Sequence, residues 1–409
     1  MFTNIDIRKF RSCLALNLSS IESILVLIGR NGAGKTNILK AIQWISQFGG
    51  GLVDLSENSS RKLFTQDGDV AVTFTANDKS YCYELKKSSK FTISASGSPE
   101  LKLEISEKIY SCNGPNKELL IDRDGEQVEL IPVPSEETRK FEIAKGSSVL
   151  VAIESLFPEK SFFRSVAHDI RNFLASVRYY PLHNFEETNE EFAITGQSYK
   201  KWKASRTKEL NSINSLLFSI IEMKEDREES FFELNSLIGP SGIGLLEEIQ
   251  VIAHKFLAPS ASPSAFSEKE ENTYYFVRFH IANGGSENPG YALQDLSFGT
   301  IRLIYLLVSL LYDRATVSLV EQPEDGIHAA LVDKLIPLLR QYAINAQFLI
   351  ASHSAAVLNR ATPLEIRLVN MSNGHTDARA LSKNELAAAQ SYLEEDGPLS
   401  DFLTSLGED

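Results

Sequence analysis

Cysteine is scarce in this chain: three in 409 residues, at Cys13, Cys82 and Cys112. They are widely spaced, odd in number and lack the short paired spacing of a zinc site, which excludes a disulfide framework and predicts free thiols. Long apolar runs are lacking too. The longest, residues 301–312 beginning beside Arg302, is too short for a membrane span and reads as a buried helix. The first ten residues place Asp6, Arg8 and Lys9 where an export signal needs apolar side chains, so a cytoplasmic address and no membrane partner are expected. An excess of positive charge is also missing, because 41 Lys and Arg face 54 Asp and Glu for a formal charge of −13. That excludes indiscriminate coating of nucleic acid, which rests on Lys and Arg neutralising phosphates, and leaves room only for a local basic groove. What is abundant is apolar material. At 43% hydrophobic residues the chain can bury a large core, and its length predicts two or three domains.

Along the chain, residues 3–28 alternate like two strands, and the second ends in the continuous apolar run 24–28 found inside parallel sheets. Between 37 and 48, Ile38, Leu39, Ile42, Trp44 and Ile45 recur at helical spacing before Gly49, Gly50 and Gly51 stop the helix. Short alternating segments such as 70–74 and 81–85 then predict an antiparallel sheet packed on the first. From 184 to 258 the pattern turns helical and charged, and it ends in a Pro/Ser/Ala stretch at 258–265 that reads as a flexible linker. A strand at 274–282 with a turn at Asn283, Gly284 and Gly285 opens a second alternation of helix and strand to about Met371. No internal repeat is evident. The expected divisions are 1–183, a helical insertion over 184–271, a second sheet-forming part over 272–385, and a short helix with an acidic tail over 386–409.

The chemistry-bearing residues cluster at strand ends. Gly29, Arg30, Asn31, Gly32, Ala33, Gly34, Lys35 and Thr36, followed by Asn37, fit a phosphate loop, in which glycines let backbone N–H groups approach phosphate oxygens. Lys35 is expected to reach the β and γ phosphates of ATP, and Thr36 to offer its hydroxyl to Mg²⁺ at the positive end of the helix dipole. Ser297 and Gly299 in the segment Leu296, Ser297, Phe298, Gly299, Thr300 precede a second helix whose N-terminus points at an anion, although Ser and Gly are also ordinary capping residues. The strand 316–320 runs into Glu321, a strand-end carboxylate able to hold Mg²⁺ directly or through water. Gln322 and Glu324 follow it, and a further strand, 347–351, ends at His353, a candidate γ-phosphate sensor.

On two blocks, residues 5–12 with the phosphate loop after them and residues 296–353, the chain resembles the AAA-family ATPases related to the OLD proteins, RecF and the chromosome-maintenance ATPases. The resemblance implies an α/β P-loop NTPase of ABC type, with a mixed central sheet, an added antiparallel sheet and a helical insertion. It also implies a homodimer formed through an ATP sandwich, in which Ser297 and Gly299 of one copy face the nucleotide held by Lys35 of the other; a higher oligomer stays open. Relatives of this kind act in DNA repair or in defence against phage, often with a nuclease fused or encoded separately. No such domain fits after residue 370 here, so an effector, nuclease or toxin, is expected as a separate partner. The pattern departs at Gln322, where the resemblance would place a catalytic glutamate and where an amide cannot accept a proton at neutral pH. Either Gln322 orients water or Glu324 supplies the carboxylate, and slow hydrolysis is the expectation. Residues 200–208 gather five cations around Trp202, a pattern that serves either as a nucleic-acid grip or as a solvated helix face.

Overall fold

The computed structural model describes residues 1–55, 63–93, 99–114, 116–133, 139–181, 193–205, 212–257, 271–281, 289–395 and 397–405. The expected linker at 258–265, the turn at 283–285, the end of the basic segment at 206–208 and the last residues of the acidic tail lie outside them. Two compact units result, one of Met1–Tyr180, Ala315–Gln322 and Ile336–Asp409, the other of Pro181–Arg314 and Pro323–Leu335.

The first unit is built on one mixed sheet of 14 strands among the described residues. Its centre is parallel: Val317–Glu321 pairs with Gln347–Ser352, which pairs with Ile24–Ile28, which pairs with Ile366–Ser372. The first three of these strands are buried along their whole length, as continuous apolar runs covered on both faces must be. The helix Lys35–Gly49 buries Ile38, Leu39, Ile42, Trp44, Ile45 and Phe48, and Trp44 packs between Phe10 and Phe64. A second helix, Phe162–Ala175, brings Phe173 into stacked contact with Phe74, ring centroids 4.3 Å apart.

The alternating segments after residue 68 are strands, but they do not form a separate layer. Gly68–Ala76 pairs antiparallel with Phe2–Phe10, so the added antiparallel strands continue the central sheet edge to edge out to Arg139–Glu142. The hairpin from Gly68–Ala76 to Lys79–Ile93 turns at Asn77 and Asp78, both with positive φ (48° and 60°), the backbone that matches strand twist in a two-residue turn. Inside this wing Glu107 and Arg123 stand opposite each other with fully buried side chains, joined by a charge-assisted hydrogen bond. Tyr83 and Ser148 hydroxyls and the Val149 N–H donate to Glu107, while Arg123 donates to the carbonyls of Gly125, Lys145 and Ser147.

The second unit holds a small antiparallel sheet in the order Ile194–Thr195, Glu271–His280, Glu248–Leu257. Helices Gly196–Ala204, Ile213–Asp226, Glu228–Ile238 and Phe298–Asp313 accompany it. The insertion is therefore helical over most of its described length, with Glu248–Leu257 as a strand in which buried Ile249 alternates with exposed Glu248 and Gln250. Among the described residues no helix is long and apolar enough to cross a membrane. All three cysteines are buried free thiols.

Candidate functional site

The strand Ile24–Ile28 delivers the chain to the glycine loop at the parallel end of the sheet, and the helix Lys35–Gly49 leaves it. Gly34 explains one glycine of the pattern outright. Its φ is +102°, and an added Cβ would lie 1.9 Å from Thr376 Oγ1, so both conformation and space exclude a side chain. The helix N-terminus behind it has no side-chain cap, which leaves its first N–H groups for a ligand. Lys35 is buried and folds back over the loop, donating from Nζ to the carbonyls of Gly29 and Arg30. Arg30, Asn31 and Gly32 are exposed, whereas Ala33 is packed and anchors the loop through its N–H on Arg30 O at 3.1 Å.

Thr36 donates its hydroxyl to Glu321 Oε1, which joins the loop to the end of the buried strand Val317–Glu321. Asn37 is held by Arg11 (3.2 Å) and donates to Ser12 Oγ at 2.8 Å, and Ser12 in turn meets Thr376 at 2.7 Å. Gln322 has a left-handed backbone (φ 46°), donates its N–H to Ala351 O at 2.8 Å, and places its amide nitrogen 3.2 Å from His353 Nδ1. Together Asn31, Gly32, Gly34, Lys35, Thr36, Asn37, Glu321, Gln322 and Ala351 line a cavity of about 240 Å³.

Sequence reasoning missed Tyr179. From the strand Val177–Pro181 it donates its hydroxyl to Glu321 Oε2, and burial beside that carboxylate pushes the phenol well above its usual range. The contact joins residues 142 positions apart, so no local signal carries it. The donor set of hydroxyl and carboxylate oxygens at the foot of an uncapped helix suits a hard divalent cation beside phosphate. Thr36 and Glu321 would hold the cation, and the loop with Lys35 the phosphates.

Ser297, Gly299 and Glu324 belong to the second unit. Ser297 is the exposed N-cap of the helix Phe298–Asp313, its Oγ accepting from Thr300 N at 3.2 Å. Gly299 is buried, and a Cβ there would lie 1.9 Å from Gly326 O, so the start of this helix is seated directly on the loop after the strand-end acid. Buried Arg302 approaches Asp325 of the same loop at 3.9 Å. In the basic segment Lys200 and Lys201 are exposed, but Lys203 pairs with Asp226 and Trp202 packs among Tyr199, Phe218 and Tyr312. The aromatic ring is thus half-buried on its own unit.

A parallel sheet with a glycine loop between strand and helix, and an acid at the neighbouring strand end, defines an α/β protein of the P-loop class. Residues 24–359 match the family described as "AAA domain, putative AbiEii toxin, Type IV TA system", and the chain belongs to that family. The resemblance to AAA-family ATPases agrees with this membership. No curated protein matches the chain. Among solved structures it is similar to the Smc head bound to the C-terminal winged-helix domain of ScpA, at 13% identity and TM-score 0.44, over 95% of this chain and 99% of that one. The Smc head domain from Thermotoga maritima aligns at 13% identity and TM-score 0.40, covering 93% and 99%. A Pyrococcus furiosus Smc head with an extended coiled coil, bound to the C-terminal domain of ScpA, aligns at 12% and 0.41, covering 96% and 98%.

Proposed function

We propose that this chain binds ATP with Mg²⁺ and hydrolyses it slowly, acting as a nucleotide-controlled switch or scaffold for a separate effector, a nuclease or toxin, in defence against phage. The observation that carries the reading is the bond between Thr36 and Glu321 beneath a loop whose Gly34 can be nothing but glycine. Bound ATP would supply the transferable γ-phosphate. Lys35 and the loop N–H groups bind its phosphates, Thr36 and Glu321 hold the cation, and His353 stands beside Gln322 as the γ-phosphate sensor. Gln322 orients water without accepting its proton, with Glu324 as the nearest alternative carboxylate, so turnover is slow and the bound state long-lived. Ser297, exposed at the head of its helix with Gly299 packed behind it, completes the site of a second copy in a homodimer. The family description supports a toxin–antitoxin setting and names no separate effector.

A DNA-repair ATPase that clamps DNA directly is the competing reading. Its support in the sequence is the basic segment, in which Trp202 is half-buried against three rings of its own unit and Lys203 is paired with Asp226. The test is co-purification and hydrolysis together. Effector control predicts a partner protein retained in one nucleotide state and a rate indifferent to added duplex; hydrolysis stimulated by DNA without any partner contradicts it.

A further inference from the structure

In the second unit the strands Glu248–Leu257 and Glu271–His280 form a ribbon with two unlike faces. One face packs on helices. Ile249, Val277 and Phe279 are buried there, and buried Tyr275 donates its hydroxyl to Glu225 of the helix Ile213–Asp226 while its ring meets Tyr199 of the helix Gly196–Ala204. The alternate side chains stand on the opposite face, as the period of two requires. On that face Ile252 lies across from Phe276 and His254 across from Tyr274, with Phe256 and Arg278 extending the row on either side. His254 and Phe256 are exposed, Phe256 to 55%, and Tyr274, Phe276 and Arg278 are half-buried. His254 meets Phe276 edge-on and Phe256 meets Tyr274 edge-on, with ring centroids 5.7 and 5.6 Å apart, and His254 is tilted 43° from Phe256. No pair of these rings is stacked, and His254 and Phe256 keep ring surface open to solvent.

Aromatic rings and a cation on one sheet face are the groups with which a sheet holds unpaired bases: rings stack on base faces of any sequence, and cations meet the phosphates between them. A duplex hides its base faces, so such a surface selects single strands. Arg278 supplies the cation, its guanidinium 5.8 Å above the Phe276 ring. The charge balance of the face agrees. Among the described residues the two strands set one carboxylate on it, Glu248, opposite His280 at the far end, although the chain as a whole has a formal charge of −13. We propose that the outer face of this ribbon binds single-stranded nucleic acid, with Phe256 and Tyr274 stacking on bases and Arg278 meeting phosphate. The inference does not depend on nucleotide binding at the phosphate loop.

The test is fluorescence anisotropy of labelled oligothymidylate, oligouridylate and a DNA duplex with the full chain, in EDTA and without ATP. The unaltered chain should bind at least one single strand more tightly than the duplex, and the two oligomers tell DNA from RNA. Phe256→Ala should weaken that binding about tenfold, the size of one lost base stack, and Phe256→Trp should keep it. Arg278→Gln should weaken it and flatten its salt dependence. Because Phe256 is exposed, its variants leave the core untouched. Duplex bound as tightly as both single strands, or equal affinity in Phe256→Ala and the unaltered chain, overturns the proposal. Loss of binding in Lys200→Ala with Lys201→Ala but not in Phe256→Ala puts the site on the basic segment and overturns it too. So does the absence of any binding by the unaltered chain, and if Phe256→Ala then also sheds a protein retained on purification, the face docks protein instead. With ATP and Mg²⁺ left out, failure of the nucleotide reading leaves these results unchanged.

Discussion

Gln322 holds a left-handed backbone that non-glycine residues adopt at a cost of about 1–3 kcal/mol, and it does so at the end of a buried strand in the wall of the cavity. Its N–H on Ala351 O and its amide beside His353 Nδ1 keep the side chain at the strand ends. The consequence is a site with an oriented amide where a carboxylate would accept a proton. Gln322→Glu should therefore raise phosphate release by about a hundredfold, the lower end of what a positioned general base contributes. Brisk hydrolysis by the natural chain, unaltered in Gln322→Glu, would contradict the slow-switch reading. At this scale the sequence was most legible where chemistry demands residue type and spacing together. Gly29 to Thr36 could be read from a line of text because each glycine answers to a backbone requirement, as Gly34 does against Thr376. Tyr179 could not, because one tyrosine in a strand looks like any other until the fold sets it against Glu321.

At the level of elements, the antiparallel wing owes its definition to a polar pair as well as to apolar alternation. Glu107 and Arg123 are paired in register on adjacent strands, and both side chains are fully buried with hydrogen bonds to Tyr83, Ser148 and three carbonyls. Breaking such a pair strands a buried charge, so Glu107→Gln should destabilise the protein by about 3–5 kcal/mol in chemical denaturation. A loss below about 1 kcal/mol would mean that water reaches the wing. The alternation of 70–74 and 81–85 announced strands but not their attachment. Whether they stack on the first sheet or extend it depends on Phe2–Phe10 offering a free edge to Gly68–Ala76, a long-range pairing with no local signature. Glu248–Leu257 was hidden for a related reason, since buried Ile249 beside exposed residues in a charged surrounding fits helical and strand periods alike over so short a run. The contact of Gly299 with Gly326 was likewise beyond the sequence, which showed a glycine ahead of a helix but not the backbone it must admit.

For the whole molecule, the proposed dimer makes a prediction that neither unit makes alone. Lys35→Ala removes the phosphate grip, and Ser297→Arg blocks the face offered to a second copy. Each variant alone should be inactive in hydrolysis, whereas a mixture should regain part of the activity, because one of the two composite sites in a mixed dimer keeps both native residues. Failure of the mixture to exceed either variant would speak against a shared site. Beneath the dimer and the effector lies the claim that triphosphate is bound at the loop between Ile24–Ile28 and Lys35–Gly49. The direct measurement is a calorimetric titration of the unaltered chain and of Lys35→Ala with ATP and Mg²⁺. The account predicts saturable binding by the first and an affinity about a hundredfold lower in the second, the loss of one charge-assisted phosphate contact. Equal affinity in the two would contradict it.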